Sequence, residues 1–236
     1  PNLDFYVELE GELGLVDLVK FLANKGFDAT LLKESQEAPL NTNYVWKDEL
    51  IWGKVKRIRD LSQVPSPYLT GIMDEFFDLP LLPLIETTRG CPFSCTFCAD
   101  GLAMKNKVIR HPTTRVANEL EYIAERVKNV DELIIADLNF AMYKEDLQTA
   151  IAVRKIQESY GYPTLVSASA GKNKPERTIE VAGIIKGWTL GASIQSTDPE
   201  VLKAIKRSNI SSKAYQELIK HGNLVDSSKT HSEIIL

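Results

Sequence analysis

From about residue 80 to its end the chain alternates short apolar runs with amphipathic stretches, and that alternation restricts the folds open to it. The apolar runs are LLPLIETT (81–88), ELIIAD (132–137), TLVSASA (164–170), WTLGASI (188–194) and SEIIL (232–236). Between the first two, TTRVANELEYIAERVKN sets Val116, Leu120, Ile123 and Val127 on one helical face, with Thr113 or Thr114 as its cap. EDLQTAIAVRKIQESYG reads as a helix stopped by Gly161, with Pro163 just beyond. KPERTIEVAGIIKG carries Pro175 in its first turn and ends at Gly187, and DPEVLKAIKR has Asp198 as cap and Pro199 at the first helical position. SSKAYQELIKHG is a further helix. Five short strands separated by helices predict parallel β/α units with a sheet buried on both faces. The periodicity admits either an open doubly wound sheet or a curved barrel. In both, chemistry collects at the carboxyl ends of the strands.

Residues 1–78 read differently. LDFYVEL is a strand, ELGLVDLVKFLANKG an amphipathic helix ending at Gly26, and ATLLKE and NYVWKDELIWG are β-hairpin material. VPSPYLTG is a linker with two prolines, and IMDEFFD a short apolar turn or helix. One strand–helix unit plus a hairpin makes a small core, which we expect to be the remnant of an upstream α/β domain over 1–78, followed by a truncated β/α domain over 79–236. The chain begins at Pro1 and stops inside an apolar run, so a piece of a longer protein is expected.

Charge excludes some roles. The net charge is −4 with acids and bases interspersed, which is no footprint for nucleic acid. The densest basic stretch, KVKRIRD (54–60), reads as a solvated face. No apolar run is long enough to span a bilayer, since LPLLPLIE is broken by Pro80 and Pro83. With no secretory leader in view, a cytoplasmic protein is expected. His111, His221 and His231 read as surface or packing residues.

All three cysteines lie in RGCPFSCTFC (89–98), with the spacing C-x3-C-x2-C, directly after the first strand of the β/α series. Clustered thiols of this kind suit metal or redox chemistry better than a disulfide framework. A structural zinc site needs a fourth ligand, for which His111 is the nearest histidine. Cys95 and Cys98 alone have the spacing of a redox dithiol, which leaves Cys91 without a role. An iron–sulfur cluster fits the set better: three thiolates hold three irons of a [4Fe–4S] cubane and leave the fourth open to another ligand. Gly90 permits close backbone approach and Pro92 stiffens the loop.

GCPFSCTFC resembles the cluster loop of the radical S-adenosylmethionine (SAM) superfamily, C-x3-C-x-aromatic-C, with Phe97 at the aromatic position. The resemblance covers about residues 80–236 and implies a partial parallel (β/α) barrel, truncated here at its fifth strand. It implies Cys91, Cys95 and Cys98 as iron ligands, SAM on the fourth iron, and reductive cleavage to a 5′-deoxyadenosyl radical for C–H functionalisation of a small molecule. A flavodoxin or ferredoxin would supply the electron. Phe97 would place its backbone beside the adenine. ADLNF (136–140) stands where many members have GGE and looks like the D-x-N-F variant of cobalamin-domain members, making Asp137 and Asn139 candidates for the amino end of SAM. In SASAGKNK, Ser169 is the candidate for the SAM carboxylate, with Ser167, Lys172 and Lys174 nearby. Gln195 stands where a ribose-binding acid is common. LDFYVELEGE resembles the last strand of an upstream Rossmann-like cobalamin-binding domain, yet the signature D-x-H-x-x-G is not in this chain. Cobalamin is therefore implied for the longer parent only. Outside this resemblance, a non-catalytic zinc or iron–sulfur module is the other reading.

Overall fold

The structure, a computed structural model, describes residues 3–171, 173–188 and 193–224. The chain divides into two compact units, Pro1–Val64 and Pro65–Leu236.

In the first unit β1 (Tyr6–Val7) is followed by α1 (Gly11–Asn24), α2 (Ala29–Ser35), β2 (Thr42–Trp46) and β3 (Glu49–Trp52). The expected hairpin forms from β2 and β3, with Trp46 opposite Glu49 and both turn residues, Lys47 and Asp48, at positive φ, as a two-residue hairpin turn demands. ATLLKE is a helix and not hairpin material. The Asp28 carboxylate accepts from the backbone N–H groups of Thr30 and Leu31 at 2.8 and 3.2 Å, which caps α2 and seats Leu32 in the core. The sheet runs in the order β1-β2-β3 and is antiparallel throughout. A Rossmann-like remnant requires parallel neighbours, so that expectation is not met among the described residues.

In the second unit, residues 65–78 join the β/α core, and the division between the two units falls at Val64/Pro65. Tyr68 and Phe77 belong to that core. The Tyr68 hydroxyl accepts from Leu84 N and donates to Leu84 O, at 3.0 and 2.9 Å, fastening the segment to the first strand. The elements that follow are β4 (Leu84–Ile85), β5 (Thr88–Arg89), β6 (Ile109–Arg110), α3 (Thr113–Arg126), β7 (Glu132–Phe140), α4 (Asp146–Tyr160), β8 (Leu165–Ala170), α5 (Pro175–Ile184), α6 (Pro199–Ala204) and α7 (Ser212–Leu224). β4, β7 and β8 form a parallel sheet in that order. A parallel bridge from Val166 to Trp188 continues the sheet where WTLGASI begins. The following residues 189–192 and the run SEIIL lie outside the described residues.

The sheet is buried on one face. Leu133, Ile135 and Val166 pack with Val116, Leu120 and Ile123 of α3, Val153 and Ile156 of α4 and Val181 of α5. The alternate row is Leu84, Ile134 and Ser167, of which Leu84 is 48% exposed and the other two half-buried. The expectation of two buried faces is thus corrected. Among the described residues helices cover one face alone, which suits a partial barrel, whereas a doubly wound sheet is covered on both. α3 begins at Thr113 behind Pro112 with no side-chain cap, so neither Thr113 nor Thr114 has that role. Ile135 is central to the core row, flanked by Ile85 and Ala168. Ile135→Ala should lower the stability of this unit by about 2–5 kcal/mol, read as a fall in the urea midpoint; an unchanged midpoint would place the core elsewhere.

Candidate functional site

The cysteine loop leaves the sheet just beyond β4 and is closed by a small hairpin. Thr88 pairs with Arg110 and Arg89 with Ile109, so residues 90–108 form a loop held at its neck by β5 and β6. Inside it Cys91 N donates to Lys105 O, Cys98 N to Cys95 O and Gly101 N to Cys98 O, at 3.0, 3.2 and 3.0 Å. Thr96 N donates to Ile205 O at 3.1 Å, tying the stretch between the second and third cysteines to the end of α6. Two glycines make the loop possible. Gly90 has φ +104°, and a Cβ there would overlap the Lys107 carbonyl. A Cβ on Gly101 would overlap the Cys95 carbonyl. Cys91 and Cys95 are buried, Cys98 half-buried, and none is in a disulfide.

β7 supplies the next layer. Its register against β8 shifts between Ile135, opposite Ala168, and Phe140, opposite Ala170. The extra residues form a bulge carrying Asp137 and Asn139, the usual way a strand re-aims side chains. Asp137, 2% exposed, accepts from Thr87 N, Thr88 N and Thr88 Oγ1 at 2.7, 3.1 and 2.9 Å, and from Thr87 Oγ1. Burial raises its pKa against the pull of those four donors. Four donors fill the acceptor positions of a carboxylate, leaving none for an incoming ammonium. Asp137 thus anchors the strand end from which the loop departs. Asn139, 3% exposed, donates through Nδ2 to Cys91 Sγ at 3.4 Å, while its Oδ1 is buried without a partner.

The turn after β7 adds polar groups that local sequence reasoning missed. Tyr143 Oη is buried and unpartnered; burial first, and the charge of Cys91 second, push its pKa up to about 12. The Arg110 guanidinium lies 5.0 Å from the Tyr143 ring centroid and 3.7 Å from Asp146 Oδ1. Asp146 Oδ2 accepts from Tyr143 N at 2.9 Å, and burial lifts the carboxyl to about 6. On the other flank, burial would raise Glu86, but His111 and a two-pronged contact from Arg89 hold it near 2. Tyr143 and Asp146 lie far from the cysteines in sequence, so spacing carries no sign of them, whereas Glu86 and Arg89 directly precede the loop. The pair Thr87–Thr88 directly before the loop was the one local hint.

The other candidates are not joined to this polar cluster. The Phe97 ring is 44% exposed. Ser169 is exposed near the carboxyl end of β8, and Ser167 is engaged with Glu132 Oε1 at 2.5 Å. Gln195 is buried at φ +59° in a segment whose backbone is clasped by Arg207 and Asn209. Lys174 caps α5 at φ +63°, and Lys172 lies outside the described residues. His111 places Nε2 3.6 Å from Glu86 Oε2. Among the described residues no three His, Cys, Asp or Glu side chains converge on a single ion. A [4Fe–4S] cubane takes its thiolates on separate irons. The thiol set, the backbone-held loop and the two glycine contacts fit such a cluster.

Residues 85–226 match the Radical SAM superfamily. The chain is 34% identical over 201 residues to the cobalamin-dependent radical SAM methyltransferase TokK of Streptomyces tokunonensis, covering 80% of this chain and 29% of that protein. It is 36% identical over 186 residues to the 2-(S-pantetheinyl)-carbapenam-3-carboxylate methyltransferase of Streptantibioticus cattleyicolor, covering 74% and 27%. The chain thus spans less than a third of the length of these curated relatives. Among solved structures, the cobalamin-dependent SAM radical enzyme OxsB, with aqua-cobalamin and SAM bound, superposes with TM-score 0.69 at 17% identity, over 98% of this chain and 33% of that one. The radical SAM methyltransferase TsrM of Kitasatospora setae gives 0.64 at 15% identity, over 98% and 45%. Both likenesses show the shared fold.

Two outcomes follow from the geometry. Asp137→Ala strands the buried donors of Thr87 and Thr88 and should cost about 3 kcal/mol or more in the denaturant midpoint; a loss under about 0.5 kcal/mol would deny it the anchoring role. Asp146, raised from 3.8 to about 6, holds a proton in the folded state that the unfolded chain releases. Stability should therefore fall as pH rises from about 4 to about 6 and level off above. Asp146→Asn should flatten that part of the curve, checked by denaturation across the range; a slope like the wild type's would contradict the assignment.

Proposed function

Because the chain belongs to the radical SAM superfamily, we propose that Cys91, Cys95 and Cys98 hold three irons of a [4Fe–4S] cluster and that residues around the loop bind SAM. The observation that carries the reading is the loop: three thiols at the family spacing, on a backbone fixed by its own hydrogen bonds and by two glycine contacts. When bound, such a cluster supplies one electron for cleaving SAM to a 5′-deoxyadenosyl radical. The chain's own task is to hold, orient and exclude water. Cys91 and Cys95 are shielded from solvent, and the β5/β6 neck and the Asp137 anchor hold the loop to the sheet.

For SAM, we assign the amino end to Asn139 Oδ1, a buried acceptor without a partner in the protein. The exposed Phe97 suits the adenine side, Ser169 at the end of β8 the carboxylate, and Gln195 a ribose hydroxyl, since an amide both donates and accepts. The assigned reaction is methylation at an unactivated carbon of a small molecule, with ring formation the neighbouring outcome. The names of the two methyltransferase relatives support methylation. Cobalamin is proposed for the longer protein, and no residue of this chain is assigned to it. A flavodoxin or ferredoxin in the cytoplasm would deliver the electron, and the thiol-rich loop suits that reducing compartment. Among the described residues no helix is long and apolar enough to cross a membrane. The zinc reading is not favoured, since the family match points to a radical SAM enzyme.

Anaerobic reconstitution with iron and sulfide tests the proposal. The chain should take up about four irons and show a cluster EPR signal on reduction. That signal should change with SAM, and 5′-deoxyadenosine should form. Cys98→Ala should abolish the product. Zinc retention without iron uptake would overturn it.

A further inference from the structure

Asn139 is the polar side chain in hydrogen-bond contact with Cys91, one of the proposed iron ligands. An iron-bound thiolate has no proton, so it only accepts. The carboxamide must then turn its NH2 group to the sulfur, as it does here at 3.4 Å, and point Oδ1 the other way. That oxygen is buried and has no partner. The side chain has little freedom to do otherwise. Two residues before it, Asp137 is held by Thr87 and Thr88. One residue after it, Phe140 is fully buried against Trp188, edge to face at 5.3 Å between ring centroids. The main-chain carbonyl of Asn139 accepts from Met142 N at 3.3 Å.

We propose that Asn139 is a two-ended link that sets the reduction potential of the cluster and couples it to SAM: its N–H donates to the Cys91 sulfur, and its carbonyl accepts from the SAM ammonium. The inference rests on the cluster reading above. A donor to a ligating sulfur withdraws electron density and favours the reduced, more negative cluster, so it raises the potential. Cys91 is 7% exposed, and in such a poorly solvated setting the hydrogen bond acts with little screening. A cation on the carbonyl polarises the amide and strengthens its N–H as a donor, so that SAM binding and ease of reduction reinforce each other through one side chain. By linkage the coupling is reciprocal: SAM should bind the reduced cluster more tightly through this residue than the oxidised one.

The test is an EPR-monitored redox titration of the reconstituted chain, with and without SAM, for wild type, Asn139→Leu and Asn139→Ala. Iron and sulfide content and melting temperature are measured alongside. Asn139→Leu keeps the volume and removes both ends of the link; Asn139→Ala stands in should the leucine variant not fold. The expected result is full iron loading with about tenfold less reduced cluster at a fixed solution potential, which is about 59 mV for a one-electron couple. The further shift caused by SAM should shrink in both variants. A variant that loads iron fully and titrates with the wild-type potential, with and without SAM, overturns the link and leaves the cluster reading standing. A wild type that takes up no iron overturns both.

Discussion

The buried carboxylate of Asp137 is the interaction on which the rest of the site depends. It lies on the second strand of the parallel sheet and takes four hydrogen bonds from Thr87 and Thr88, which end the first strand's approach to the cysteine loop. A carboxylate withdrawn from water is costly unless its lone pairs are filled. Here they are filled by main-chain and hydroxyl donors from a segment about fifty residues away in the chain. The arrangement holds β7 and the root of the loop in one register, and the positions of Gly90, Cys91 and Asn139 follow from it.

From that root the site is built by close backbone approach more than by side-chain packing. The β5/β6 neck, the short turns through Cys98 and Gly101 and the bond from Thr96 to Ile205 fix the path of the loop. The glycines are required because carbonyl oxygens occupy the space where their Cβ atoms would be. β7 has the complementary task. Across the register shift between Ile135 and Phe140 the buried row runs on through Asp137, so the strand that packs Ile135 into the core also presents Asn139 to Cys91.

Parts of this were legible in the sequence for definite physical reasons. The 3.6-residue spacing of Val116, Leu120 and Ile123 reports a helix packed on one side, and all three are in the core. Gly161 beyond α4 adopts the left-handed conformation expected of a helix stop. The C-x3-C-x2-C spacing is local, and its closeness to the first strand placed it at the right end of the sheet. Other readings failed where a single contact decides. ATLLKE has β-branched and apolar character, yet Asp28 caps it as a helix. Thr113 looks like a cap, but the helix begins behind Pro112 without one. That Thr87 and Thr88 meet Asp137, about fifty residues on, is a contact no local pattern states.

The sequence by itself determined the β/α order of the second unit, the thiol set and its place after a strand, because periodicity and short spacing are properties of neighbouring residues. Tertiary structure alone decided that the sheet is covered on one face, that the first unit is antiparallel, that the unit boundary falls at Val64, and that Asp137 anchors while Asn139 faces sulfur. Each of those depends on which distant groups meet in a space closed to water. There an unpaired donor or acceptor is penalised by more than any local preference can offset.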